Sequence, residues 1–76
     1  MDLQNFVDRL KEIFEDANPE TIKPEVKFRE IAGYSSLSAF LIIGMVNDEY
    51  NVNFTGDDLR KSATIEDIFS IIKSRR

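Results

Sequence analysis

The stretch Gly33-Tyr34-Ser35-Ser36-Leu37-Ser38-Ala39-Phe40-Leu41-Ile42-Ile43-Gly44-Met45-Val46-Asn47-Asp48-Glu49-Tyr50 decides how this chain folds. From Ser36 to Val46 it carries no charge in eleven residues, eight of them apolar. The spacing predicts a helix over 36–50, with Gly33 marking a sharp turn before it and Ser35-Ser36 at its start. At about 100° per residue, Ala39, Ile42, Ile43, Val46 and Tyr50 share one face, which is the expected core face. Leu37, Leu41, Gly44 and Asp48 fall on roughly the opposite side, with Met45 on its flank. A small domain has too little mass to bury both sides of one helix. Either Leu37, Leu41 and Met45 form an exposed contact strip, or the preceding connection folds over them.

Upstream, residues 1–18 read as one amphipathic helix. Leu3, Phe6, Val7, Leu10, Ile13 and Phe14 follow the i, i+3, i+4, i+7 pattern. Asp2 is the expected N-cap and Pro19 the expected stop. Residues 19–35 make a long connection holding both prolines, with Ile22, Val26, Phe28 and Ile31 spaced through it as anchors. Downstream, Val52, Phe54 and Leu59 anchor a second connection over 51–63, with a short helix at Asp57–Lys61. The last helix is expected over 64–73, opened by a Thr64/Asp67 capping box and buried through Ile65, Ile68, Phe69 and Ile72. Lys73, Arg75 and Arg76 suit the negative end of its dipole. The expected architecture is all-α: a small antiparallel bundle of three main helices plus one short helix, in a single domain over 1–76.

Composition narrows the chemistry. The chain has 76 residues, 42% of them hydrophobic, and five Gly and Pro, which fits one small globular domain. It has no Cys and no His, which excludes disulfides, thiolate nucleophiles and the usual neutral-pH base and metal ligand. No metal site and no catalytic residue is expected. Asp57-Asp58 lacks the alternating acids of a calcium loop, and the chain is too small for a deep substrate cleft. A formal charge of −4 argues against nucleic acid as the main partner. No long apolar span or leader-like segment is visible, so the expected setting is cytoplasmic, without membrane insertion, and as a monomer. Charge is uneven: residues 34–60 carry Asp48, Glu49, Asp57 and Asp58 against Arg60, whereas residues 61–76 are net positive.

The hydroxyls at the start of the second helix admit two readings. Ser is a favoured N-cap. A Ser in a first turn is also exposed to a modifying enzyme, and the unpaired amides there stabilise an attached phosphate.

At this point the chain resembles the acyl carrier protein family. The resemblance rests on Gly33-Tyr34-Ser35-Ser36-Leu37, Met45-Val46-Asn47-Asp48-Glu49-Tyr50, Val52-Asn53-Phe54, Asp57-Asp58-Leu59 and Ala63-Thr64-Ile65-Glu66-Asp67, in order and over nearly the whole chain. It implies a carrier rather than an enzyme, with 4′-phosphopantetheine from coenzyme A attached at Ser36, the Ser before Leu37. The arm's thiol would then hold acyl or related thioesters for fatty acid, lipid or specialised secondary-metabolite enzymes. The implied partners are a phosphopantetheinyl transferase and acyl-loading and acyl-using enzymes such as synthases and acyltransferases. They would dock on Leu37, Leu41 and Met45, steered by Asp48 and Glu49. Phe28, Ile42, Val46, Phe54, Ile65, Ile68 and Phe69 would line an acyl-chain pocket. The family's Asp before the attachment Ser is Ser35 here. The other reading is an unmodified interaction module that keeps the fold and binds a partner through Leu37, Leu41 and Met45.

Overall fold

The structure, a computed structural model, describes residues 2–76. Four helices follow in order: α1 (Leu3–Ile13), α2 (Ser36–Tyr50), α3 (Gly56–Lys61) and α4 (Ile65–Arg75). Two 3₁₀ turns, Pro19–Thr21 and Phe28–Glu30, lie in the long connection between α1 and α2. No β-strand forms among the described residues beyond one isolated bridge between Lys27 and Thr64. α1 packs on α2 and α4, and α3 packs on α2 and α4.

The first helix is shorter than its sequence pattern predicts. It begins on the Asp2 cap, whose carboxylate accepts from the Asn5 amide at 2.7 Å, but it ends at Ile13. Pro19 is therefore not its stop; Pro19 opens the first 3₁₀ turn under an Asn18 cap. The helix gives way at Phe14, whose backbone is non-helical and whose amide caps the last turn on Leu10 O at 3.0 Å, and both Phe14 and Ala17 are buried in the core. Phe14 there stacks on Tyr34 at 6.3 Å between ring centroids. Met1 lies outside the described residues.

Apolar burial holds the bundle. Phe6, Leu10, Phe28, Ile42, Val46, Ile65, Ile68 and Ile72 are fully buried in one cluster. Full burial of such side chains contributes about 1.5–3 kcal/mol each. The long connection is anchored largely as expected: Ile22, Phe28 and Ile31 are buried and Val26 is half-buried. It is also stitched to the start of α4. The Ile65 amide donates to Val26 O at 3.0 Å and the Glu66 amide to Pro24 O at 2.8 Å. These bonds satisfy helix-start amides that otherwise lack partners. The Thr64/Asp67 capping box forms as expected, and an equivalent box, Thr55/Asp58, opens α3. α4 runs two residues past its expected end, to Arg75.

Two arginines pin α3. Arg29 lies over the Phe28 ring and donates to the Leu59 and Ser62 carbonyls at 2.8 and 2.7 Å. Arg75 grips the buried Asp58 with both arms of its guanidinium and also donates to Asn53 O at 2.8 Å. The Arg75 hydrogen bonds and then the Thr55 amide hold the Asp58 carboxyl well below the usual carboxylate range. Arg75 therefore does more than complement a helix dipole.

Candidate functional site at the start of the second helix

Gly33 sets up the site. Its φ of +87° lies in the left-handed region, and no side chain crowds the position, so the requirement is conformational. The Tyr34 amide closes this turn on Ile31 O at 3.0 Å. The chain then enters α2 through extended backbone at Ser35, the N-cap.

Three hydroxyls crowd this helix start, and their hydrogen bonds separate them. Ser35 Oγ accepts from the Leu37 and Ser38 amides at 3.2 and 3.4 Å. Ser38 Oγ accepts from the Ser35 amide at 3.1 Å and donates to Gly33 O at 3.3 Å, and Ser38 is buried. Both are consumed by the capping box. Ser36 is the first helical residue, exposed, and its hydroxyl and amide have no partner among the described residues. The Ser35 cap does what an Asp would do at that position for the amides, without the negative charge.

The core face of α2 is placed as expected at its centre. Ile42, Val46 and Tyr50 are buried, while Ala39 and Ile43 are half-buried. The long connection does not cover the opposite side: Leu37 is 63% exposed and Leu41 42%. Met45 is half-buried, and Asp48 and Glu49 are exposed. Sequence reasoning missed Phe40, the most exposed large apolar side chain at 73%. Helical spacing could have found it, because Phe40 falls between Ser36 and Gly44 on the same outward arc. Asn47 binds inward rather than sitting on the outer face. Its amide nitrogen donates to Ile43 O at 2.8 Å and Phe54 O at 2.9 Å, tying α2 to the next connection.

The seven residues expected to line an acyl pocket, Phe28, Ile42, Val46, Phe54, Ile65, Ile68 and Phe69, are all core residues at 8% exposure or less. Two surface grooves have other linings. One of about 250 Å³ starts beside Ser36, between Ser35, Leu37, Leu41 and the end of α1 at Ile13 and Phe14. The other, about 490 Å³, continues between α1 and α2 past Leu41 and Met45 to Glu49.

Comparison with known proteins bears directly on this geometry. Residues 7–72 match the model of the family described as the phosphopantetheine attachment site. The chain belongs to this family of acyl carrier proteins. It is 28% identical over 72 residues to the acyl carrier protein of Wolinella succinogenes, covering 91% of this chain and 95% of that protein. As an acyl carrier protein, the chain is a carrier and not an enzyme, and its prosthetic group is 4′-phosphopantetheine. The arm supplies the thiol that a sequence without Cys lacks. The residues at the start of α2 fit the group. A free hydroxyl can bear its phosphodiester, and an unpaired amide at the positive end of a 15-residue helix favours the anion there. Among the described residues no helix is long and apolar enough to cross a membrane.

Proposed function

We propose that Ser36 bears the phosphopantetheine arm and that the loaded carrier presents acyl or related thioesters to enzymes of fatty acid, lipid or specialised secondary metabolism. One observation carries the assignment to Ser36: of three neighbouring hydroxyls, Ser35 and Ser38 are engaged in the cap, and only Ser36 is exposed and uncommitted. In this reading the chain works as a cytoplasmic monomer. A phosphopantetheinyl transferase modifies it, and synthases and acyltransferases load and unload it.

Partner enzymes dock on Leu37, Leu41 and Met45, with Asp48 and Glu49 steering basic groups toward the arm. The exposure of Leu37 and Leu41 supports this surface. Part of an acyl chain shelters among Phe28, Ile42, Val46, Phe54, Ile65, Ile68 and Phe69. Each methylene buried there contributes about 0.8 kcal/mol, and the side chains, now in close contact, must part to admit it.

Intact-mass analysis after incubation with coenzyme A and a phosphopantetheinyl transferase tests the site. The expected result is one arm's mass on the wild type and on Ser38→Ala, and none on Ser36→Ala. A mass gain that survives Ser36→Ala overturns the assignment.

A further inference from the structure

Phe40 is a large apolar side chain that the fold does not use. It stands outside the core cluster and makes no contact with another aromatic ring among the described residues. It also lines neither of the two grooves beside α1. Helix propensity does not call for it, because aromatic residues rank below Leu, Met and the long polar residues in a helix interior.

Its neighbours are set by helical spacing. Residues three and four apart meet on a helix surface, so Phe40 has Ser36 and Leu37 on one side and Ile43 and Gly44 on the other. Ser36 and Leu37 are exposed, Ile43 is half-buried and Gly44 brings no side chain. Helical side chains lean toward the N-terminus, so the Phe40 ring covers the turn that begins at Ser36. From Ser36 to Gly44 is about 12 Å along the axis, and none of these five residues is charged.

Gly44 adds an independent observation. Gly is the least favoured residue short of Pro in a helix interior. Nothing in the fold requires it: its φ is not positive, and a Cβ there would meet no atom within 4 Å. Bare backbone beside an exposed ring leaves a shallow bed that another group can approach closely. The group nearest to hand is the prosthetic arm, which starts one turn away on the same arc. Beyond its phosphate the arm is uncharged, a geminal dimethyl group followed by amides, which matches an uncharged arc of ring and open backbone. Tethering also raises its effective concentration to the order of millimolar, so a shallow contact is enough to hold it.

We infer that Phe40 and Gly44 are the resting place of the phosphopantetheine arm, the Phe40 ring receiving its dimethyl group and the bare backbone at Gly44 the segment beyond. This rests on the assignment of the arm to Ser36 and deepens it with a second point of contact. It leaves Leu41 and Met45 free for partner enzymes while the arm is at rest.

The test uses the full chain, isotope-labelled and carrying an unlabelled arm, with the apo chain as reference. Peptide mass mapping locates the arm before each spectrum is read. Amide shift changes on loading should reach past residues 35–38 to Phe40, Ile43 and Gly44. The arm's methyls should show nuclear Overhauser contacts to the Phe40 ring and move upfield of their position in free pantetheine. Phe40→Leu should keep the contacts and lose the upfield displacement, and Phe40→Ser should lose both. Phe40 is exposed enough for both variants to fold, which circular dichroism verifies. An arm found on a residue other than Ser36 overturns this inference together with the tether assignment. An arm on Ser36 whose methyls match free pantetheine overturns this inference alone. So does a displacement that survives Phe40→Ser, and slower acyl transfer in that same variant would then make Phe40 a partner contact. Self-association of the loaded chain through Phe40 also overturns it, because a second copy would then be the occupant.

Discussion

Replacing Ser35 separates the two things the residue before the proposed tether can do: cap a helix and carry a charge. In Ser35→Ala the Leu37 and Ser38 amides lose their shared acceptor. The Ser38 hydroxyl still accepts from the residue 35 amide, so half of the box remains. Loss of a Ser cap costs about 0.5–2 kcal/mol. The two bonds are at the long end of hydrogen-bond distances, and the amides lie at the surface, where water replaces the acceptor. These features place the expected loss at about 1 kcal/mol, a fall in Tm of about 4–8 °C for a domain of this size. Ser35→Asp keeps the acceptor and adds a charge that the helix dipole favours by about 0.3–1 kcal/mol. Glu15 and Asp16 line the same groove and repel that charge, so stability should stay within about 0.5 kcal/mol of wild type. Thermal melts by far-UV circular dichroism measure both variants. Initial rates of arm transfer to Ser36 then isolate the charge: Ser35→Asp should be modified faster than wild type, and Ser35→Ala should still be modified at Ser36. An unchanged Tm in Ser35→Ala refutes the capping argument. Equal transfer rates for the wild type and Ser35→Asp show that charge at this position does not limit recognition.

Two further outcomes follow from the packing. Asp58 has a depressed folded-state pKa, set first by its Arg75 hydrogen bonds, so the stability it contributes is present above its unfolded value of about 3.9 and is lost as pH falls through the folded value. Asp58→Asn should therefore flatten the dependence of urea midpoint on pH below about pH 4, and a wild-type slope in that variant would count against the clamp. Leu41→Glu places a charge at a site 42% exposed and should cost about 1 kcal/mol or less in stability. It should slow acyl transfer to partner enzymes without loss of helix content, whereas outright unfolding would show that Leu41 belongs to the core.

What the sequence reveals here is local. The bounds of α2 are legible because an uncharged run is framed by Gly33 and a Ser cap on one side and Asn51 on the other, which takes a left-handed conformation as the C-cap. The Thr64/Asp67 box is legible because both partners lie within one helical turn. The matching Thr55/Asp58 box was equally open to reading. What escapes is long-range. Phe14 looks like the next member of an α1 stripe, yet it is the C-cap of the helix and stacks on Tyr34, twenty positions along the chain, a contact with no periodic signal. Arg75 finds Asp58 across seventeen residues, and Asn47 finds Phe54 through a turn, and neither pairing has a periodic signature. The proposed tether, Ser36, was legible through the resemblance as the Ser before Leu37, and the hydrogen bonds that commit Ser35 and Ser38 support the same choice.

The exposed side of α2 is suited to brief contacts rather than lasting ones. Leu37, Phe40 and Leu41 leave 63%, 73% and 42% of themselves in water. Full burial of such a side chain contributes about 1.5–3 kcal/mol, so covering what remains exposed on all three contributes roughly 3–5 kcal/mol. Loss of translational and rotational freedom on association costs about 4–15 kcal/mol. Apolar contact on this helix thus falls at or below the cost of forming a complex. In the proposed docking, charge supplies the difference, and charge acts chiefly by raising the encounter rate, with salt able to weaken it. A protein that hands one cargo from enzyme to enzyme needs fast arrival and fast release. An added apolar residue at Gly44, which has open space around it, would strengthen binding to one enzyme and slow departure to the next, so turnover through a coupled pair should fall even as affinity rises.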